Sequence, residues 1–567
     1  MREWCVRRKY DILFVLLIFC IVCSGISRSY GFYFPADEFG YWSYAAALAG
    51  YDWSDIASLG SYYSPGYSLI LLPVFLICKD GVAAYRAAMV VNCVLLVVCF
   101  FILQKMGRTF YAAVAAIYPA WLFYAGTTFA EILLVTLYLA VCLLLLLYLQ
   151  TGRKQYMALM LAAMFYMYLV HLRAVGVVAS GIAVLFIYHI KSTHKNNNKN
   201  KQVGYILALA AGTAVVLAAL FIKNRRTGMV YGDAADLLRD ANRYAGQIEK
   251  IAYIFSEEGF VNLLISVAGK ILYLGLAGYG LAYFGLIYAV RRVREKKYFP
   301  MFVLLSTAAA LMICAIYTVR PDRVDTLAYG RYHEYVMPVL LMMGMKELGR
   351  RETTAGRTAR SIAIMLVLEA VMTWMVTLSL DANGQTSFLG NTICGISWLY
   401  SPEDSGAVSY YWKVYLTHSV MTAAVCMAVW WIGRRRRREV FLMALVAVQI
   451  AVGMRLSSVY VDDARLGCFR DTLLCDAIYE LDPEGCREVY YSTEGKAFGN
   501  IGILQFMMRD TQIHIVKKDY DLDSQSEEDL LLIDFRSDQG QALAEKYDSR
   551  LTSGHFSLYY NEQEYSE

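Results

Sequence analysis

The chain has 567 residues, 58% of them hydrophobic and 18% charged, with a mean hydropathy of +0.41. A soluble protein could not cover that much apolar surface, so the composition excludes that class and points to a polytopic α-helical membrane protein. The net charge of +5 is carried by short basic loops, which gives no reason to expect a nucleic-acid partner.

A bilayer core of about 30 Å needs roughly 20 apolar residues per helical span. Apolar runs begin near residues 11, 82, 110, 130, 156, 174, 204, 268, 300, 335, 361, 415 and 439, which predicts about 13 transmembrane helices. Lys and Arg gather in cytoplasmic loops. The basic start "MREWCVRRKY" therefore places the N-terminus in the cytoplasm. The loops "QKMGRT", "TGRKQ", "KSTHKNNNKNKQV", "RRVREKKY", "GRRETTAGRTAR" and "GRRRRR" then all fall on that side and are all basic. The arginine run 434–438 also suits contact with anionic membrane lipid. No small-residue cleavage site follows the first span, so it reads as a retained helix.

Two stretches depart from this alternation. Residues 64–78, "SPGYSLILLPVFLIC", are apolar but short and carry two prolines, so they are expected to lie along the outer interface within an external loop, 29–81. Residues 458–567 are far more polar. "REVYYST" and "DLLLIDF" read as strands, and "NIGILQFMMRD" and "DQGQALAEKYD" as helices. The organisation expected is a transmembrane domain, 1–457, followed by a small external α/β domain, 458–567.

Most of the 13 cysteines sit in spans as apolar filler, while Cys468, Cys475 and Cys486 leave external pairing open. The seven histidines show no H-x-x-x-H spacing, so no metal ligands are assigned, although paired acids permit a divalent metal.

Ionisable groups gather toward the outer face. Asp37 and Glu38 follow the first span, and Glu131 opens the span "EILLVTLYLA". Arg173 follows "YLVHL", Lys223 lies in "KNRRTGMVYG", and Arg331 and His333 lie in "YGRYHEYVMP". Each has a plain reading as a helix cap, a snorkelling anchor or a solvated charge. Their joint placement on the side that the cytoplasmic bias should deplete of bases favours one external cavity with acids facing bases. Acids opposite bases suit glycosyl transfer from a lipid phosphate. A carboxylate accepts the proton of the attacking group, and cations stabilise the departing phosphate. Tyr41 and Tyr63 can cover a sugar face or an isoprenoid stem.

A first span followed by an external Asp-Glu pair resembles the GT-C superfamily, in particular its polyprenyl-phosphate-sugar-dependent transferases, among them the protein O-mannosyltransferases and the lipid A aminoarabinose transferases. "YSPGYSLILLP", "YPAWLFYAGTTFAEILLVTLYLA", "KNRRTGMVYG" and "YGRYHEYVMPVLLMMG" follow in the order of that family's segments, over about residues 10–350. Ser64-Pro65-Gly66 stands where many relatives carry His-Pro or Lys-Pro. The resemblance implies an inverting transferase of the plasma membrane that moves a sugar from a polyprenyl-phosphate donor to an extracytoplasmic lipid, glycan or protein. It implies Asp37 and Glu38 as catalytic residues, Asp37 as general base and Glu38 orienting the acceptor or tuning Asp37, with Glu131, Tyr41 and Tyr63 contacting the acceptor or supporting the site from behind. Arg331, His333, Arg173 and Lys223 would bind the donor phosphate. The competing readings are a carrier or flippase of lipid-linked sugars and a non-catalytic envelope-assembly protein.

Overall fold

The computed structural model describes residues 2–196, 212, 227–232, 251–319, 326–384, 388–400, 406–434, 438–492, 499–516, 529–537, 543 and 545–561. Helix α1 (Arg2–Cys23) leads into three short helices, α2 (Pro35–Ala49), α3 (Ser54–Ser58) and α4 (Ser68–Ile77). With ten residues and Pro73 inside it, α4 is about 15 Å long, half a bilayer core, and too short to cross. Then come α5 (Gly81–Met106), α6 (Thr109–Ala116), α7 (Pro119–Ala125), α8 (Glu131–Thr151), α9 (Lys154–Val170) and α10 (Val175–Asn196). A short α11 (Gly228–Tyr231) precedes α12 (Glu257–Ala277), α13 (Leu281–Arg294), α14 (Tyr298–Thr318), α15 (Met337–Leu348) and α16 (Ala355–Ala382). The series ends with α17 (Cys394–Ser397), α18 (Ala407–Ile432), α19 (Arg438–Tyr460), α20 (Asp462–Leu481) and α21 (Ile501–Met507).

Among the described residues, nine helices are long and apolar enough to cross a membrane. The predicted runs near 11, 82, 130, 174, 268, 300, 361, 415 and 439 fall in them. The run near 110 is divided at Tyr118–Pro119, where proline cannot continue the preceding helix, leaving α6 and α7 with eight and seven residues. The runs near 156 and 335 form helices of 17 and 12 residues, and the run near 204 lies outside the described residues. The helix expected from 268 begins earlier, at Glu257, where the Ser256 hydroxyl accepts the amide of Gly259 as an N-cap. It ends at Ala277 because Tyr279 and Gly280 both take the left-handed conformation and turn the chain into α13.

Helices α13 and α15 pack at backbone distance. A Cβ on Gly285 would come 2.2 Å from the Leu340 carbonyl oxygen, and one on Gly344 would come 2.0 Å from that of Leu281. Small residues allow this approach between membrane helices, and it fixes α15, whose N-terminal side carries residues 329–334. Gly344→Ala is expected to destabilise the protein by about 1–3 kcal/mol through overpacking. Gly356→Ala, where a Cβ would meet nothing within 4 Å, should be neutral. Thermal unfolding of the detergent-solubilised variants checks this; equal midpoints would refute the close packing.

The C-terminal region builds a five-stranded sheet from β1 (Val489–Ser492), β2 (Ile513–Val516), β3 (Leu530–Asp534), β4 (Ser549–Ser553) and β5 (Phe556–Tyr560), in the order β2-β1-β3-β5-β4. β1 pairs in parallel with β2 and β3, whereas β5 runs antiparallel to β3 and β4. The two expected strands are β1 and β3, and "NIGILQFMMRD" holds α21. "DQGQALAEKYD" lies largely outside the described residues. Cys468, Cys475 and Cys486 are all free thiols.

This region grips the segment between α1 and α5. The Arg509 guanidinium donates from Nη1 to the carbonyls of Phe75 (3.0 Å) and Cys78 (2.8 Å), closing the C-terminal end of α4. It also lies 4.0 Å from the Phe75 ring centroid. The Trp53 indole donates back to the Arg509 carbonyl at 3.1 Å. His514 on β2 lies between Asp55 of α3 and Glu488, at 3.2 and 3.1 Å.

Candidate functional site

The site begins with α2. Pro35 at its first position, acids in its first turn and a left-handed Gly50 after its last residue are the local signals that start and stop it. Glu38, fully buried, turns back over the helix start. Its Oε1 accepts the amides of Tyr33 and Phe34 at 2.8 and 3.0 Å. Its Oε2 accepts the Tyr85 hydroxyl at 2.9 Å, the Thr128 amide at 2.7 Å and the Thr128 hydroxyl at 2.6 Å. Burial pushes this carboxyl above its ordinary range despite the five donors. Of the two neighbouring acids, Glu38 is therefore the structural one. It caps α2 and ties it to the turn before α8, and it does not line the cavity described below.

Asp37 points the other way, with its side chain 32% exposed. Its Oδ2 accepts Arg331 Nη1 at 2.5 Å, and its Oδ1 accepts the Tyr63 hydroxyl. Burial pushes the Asp37 carboxyl up, but the Arg331 charge and these hydrogen bonds outweigh it and hold the group below the usual carboxylate range.

Arg331 reaches the site because its backbone is pinned. The amides of Gly330 and Arg331 both donate to the Thr392 carbonyl at 2.8 Å. Gly330 is required here, since a Cβ would come 2.1 Å from the Tyr273 ring. The guanidinium lies 4.1 Å from the Phe129 ring centroid and donates from Nε to Glu131 Oε1 at 2.7 Å. Glu131 opens α8 and is held by the same 126–130 turn. Asn92 donates to the Thr127 carbonyl at 2.7 Å, and Glu38 takes Thr128. Arg173 Nη2 donates to the same Glu131 oxygen at 3.0 Å, and its guanidinium lies 4.4 Å from the Tyr332 ring centroid. Asp37, Arg331, Glu131 and Arg173 thus form an alternating chain of charges. Among the described residues, the buried Nε and Nη1 of Arg173 have no hydrogen-bond partner.

A cavity of about 710 Å³ opens over this chain, lined by Asp37, Arg173 and Arg331 together with Tyr41, Tyr63 and Tyr332. Its wall between Ser61 and Ser64 is anchored to the end of α9, where the Gly66 amide donates to the Leu169 carbonyl at 3.0 Å and the Tyr166 hydroxyl donates to the Gly66 carbonyl at 2.9 Å. A Cβ on Gly66 would come 2.5 Å from the Val170 amide, which accounts for glycine after Ser64-Pro65.

Of the residues expected from the sequence, Asp37, Tyr41, Tyr63, Arg173 and Arg331 line the cavity, and Glu131 lies directly behind it bridging the two arginines. His333 does not join them. It is fully buried against Tyr273, with neither ring nitrogen hydrogen-bonded, and burial lowers its pKa to about 3, so it offers no positive charge at neutral pH. Lys223 lies outside the described residues. His171, Tyr329, Tyr332, Asn391 and Thr392 also line the cavity. The two tyrosines flank Arg331 in sequence, whereas Asn391 and Thr392 carry no motif. His171 Nδ1 accepts the Arg173 amide at 3.2 Å. Among the described residues, no group of three or more His, Cys, Asp or Glu gathers as metal ligands.

No family model and no curated protein matches the chain. Two crystal structures of ArnT from Cupriavidus metallidurans have the same fold. The apo form is 15% identical over 98% of each chain, with a TM-score of 0.53. The form bound to undecaprenyl phosphate is 13% identical over 97% of each chain, with a TM-score of 0.52. The similarity of fold thus extends over nearly the whole length of both chains.

Proposed function

We propose that this chain, with the fold of ArnT, is a membrane glycosyltransferase that moves a sugar from a polyprenyl-phosphate donor to an extracytoplasmic lipid, glycan or protein. The observation that carries the reading is the Asp37–Arg331–Glu131–Arg173 chain at the wall of a tyrosine-lined cavity, which sets two guanidiniums beside one partly exposed carboxylate.

An acceptor hydroxyl or amine attacks the anomeric carbon while the bond from that carbon to the phosphate oxygen breaks. The bonding pair leaves with the phosphate, and Asp37 takes the acceptor's proton. Attack on the face opposite the leaving group inverts the sugar. Arg331 and Arg173 stabilise the growing phosphate charge, and Glu131 holds both guanidiniums in place. A phosphate arriving beside Arg331 competes with Asp37 for the same cation. Asp37 then becomes a better proton acceptor only when the donor is bound. The tyrosine faces suit the sugar and the first isoprene units.

This chemistry places the cavity at the outer face of a plasma membrane, with the N-terminus inside and the C-terminal sheet outside, in agreement with the six basic loops. The test uses purified protein in liposomes with undecaprenyl-phosphate-linked sugars and envelope extract as acceptor. Release of undecaprenyl phosphate together with a glycosylated product is expected. Transbilayer movement of the intact donor without its cleavage would replace the transferase with a carrier.

A further inference from the structure

A second cavity, of about 510 Å³, lies at the opposite ends of the helices that build the first. Leu149 in its wall is on α8, 18 residues beyond Glu131, or about 27 Å along the helix, close to the thickness of a bilayer core. Its volume falls within the usual range for small-molecule sites.

The polar groups around it are cationic. Arg292, Lys296, Lys297 and Lys346 line it, and among the described residues no carboxylate does. Glu295 pairs with Arg292 and so offsets one of these charges, Glu347 pairs with Arg291, and the three lysines remain. Lys346 donates to the Met106 carbonyl at 3.2 Å, and among the described residues Lys296 and Lys297 have no acidic partner. The two lysines are placed by a specific backbone turn. After α13, Lys296 takes φ +60°, its amide donates to the Val293 carbonyl at 2.8 Å, and the Lys297 amide donates to that of Arg292 at 3.1 Å. Glycine fits such a helix-ending turn without strain. Here a lysine occupies it, and both Lys296 and Lys297 line the cavity.

The remaining wall suits a lipid. Tyr188 and Tyr298 meet edge to face at 5.1 Å, and methionine and leucine side chains continue the surface between the helices. A merely solvated basic loop has no need of an aromatic and apolar wall behind it. Basic cavities between helices at the basic-loop side of a membrane recognise phosphate headgroups. We propose that this cavity binds one anionic phospholipid, its phosphodiester between Lys296, Lys297 and Lys346 and its acyl chains leaving along the tyrosine and methionine wall. This site stands apart from the transfer chemistry and does not depend on it.

The test is native mass spectrometry of the full chain in a neutral detergent, titrated with dioleoyl phosphatidylglycerol, dioleoyl phosphatidylcholine or inorganic phosphate. One phosphatidylglycerol is expected to bind preferentially. The Lys296→Gln/Lys297→Gln variant should bind it about thirtyfold more weakly, the share of two basic side chains in attraction to an anionic lipid, while Lys296→Arg/Lys297→Arg retains it. Should the double glutamine variant fail to fold, Lys297→Gln alone should show a loss of about fivefold. Equal affinity in the glutamine variants, equal binding of phosphatidylcholine, or displacement of the lipid by millimolar phosphate would each overturn the proposal, the last by making the ligand a free anion.

Discussion

Asp37→Asn is expected to lower sugar transfer by about 10²–10⁴-fold while leaving donor binding nearly unchanged. The amide has the size of the carboxylate and keeps one acceptor oxygen, for Arg331 or for Tyr63 but not both, and it cannot take a proton at neutral pH. A structural role for Asp37 would instead show as lost stability and weakened donor binding together. The measurement is the single-turnover rate with saturating donor, beside the affinity for undecaprenyl phosphate and the unfolding midpoint. Transfer within threefold of the parent would remove Asp37 as the base.

Arg331→Gln should have the second large effect, and its signature lies in the pH profile. In the parent, the Arg331 charge keeps the Asp37 carboxyl below the usual value near 3.9, so the base stays ionised through the neutral and mildly acid range. Its ionised form adds stability above the unfolded-state value, and that contribution is lost only as pH falls through the lowered folded-state value. Without Arg331, only the Tyr63 hydrogen bond and the Arg173 charge are left to oppose the burial that pushes Asp37 upward. The acid limb of the transfer rate then moves to higher pH, and the ionised Asp37 contributes less stability at neutral pH than in the parent. Removing one partner from a buried ion pair costs about 3–5 kcal/mol, and Glu131 loses its Nε donor in the same step. Rates from pH 5 to 8 and unfolding midpoints over the same range test this. A weakened enzyme whose acid limb stays where the parent has it would separate Arg331 from the control of Asp37.

The nine long apolar helices among the described residues were legible because bilayer thickness imposes a length, a local property of the chain. The boundaries that moved have local causes too, such as Pro119 dividing one apolar run and the Tyr279–Gly280 turn dividing another. The adjacent acids were legible as a place but not as a pair of roles. Which of them caps α2 depends on Thr128 and Tyr85, contacts 90 and 47 residues away that periodicity does not encode. Arg331 and Arg173 could be picked out because the expected topology puts them on the side where bases are unusual. His333, two residues from Arg331, looked equivalent until its burial was seen. Asn391 and Thr392 had no signal, since Thr392 acts through a backbone carbonyl that any residue possesses.

The clamp from Arg509 onto the end of α4 joins positions 434 residues apart. Ordering in time follows from that span. During synthesis the stretch bearing Asp37 emerges early, yet the brace that closes α4 is translated hundreds of residues later, so this wall of the cavity closes only once the C-terminal region is made. On the proposed function, transfer competence would switch on late in biogenesis, after the C-terminal region has docked, and a half-made chain would leave lipid-linked sugar intact.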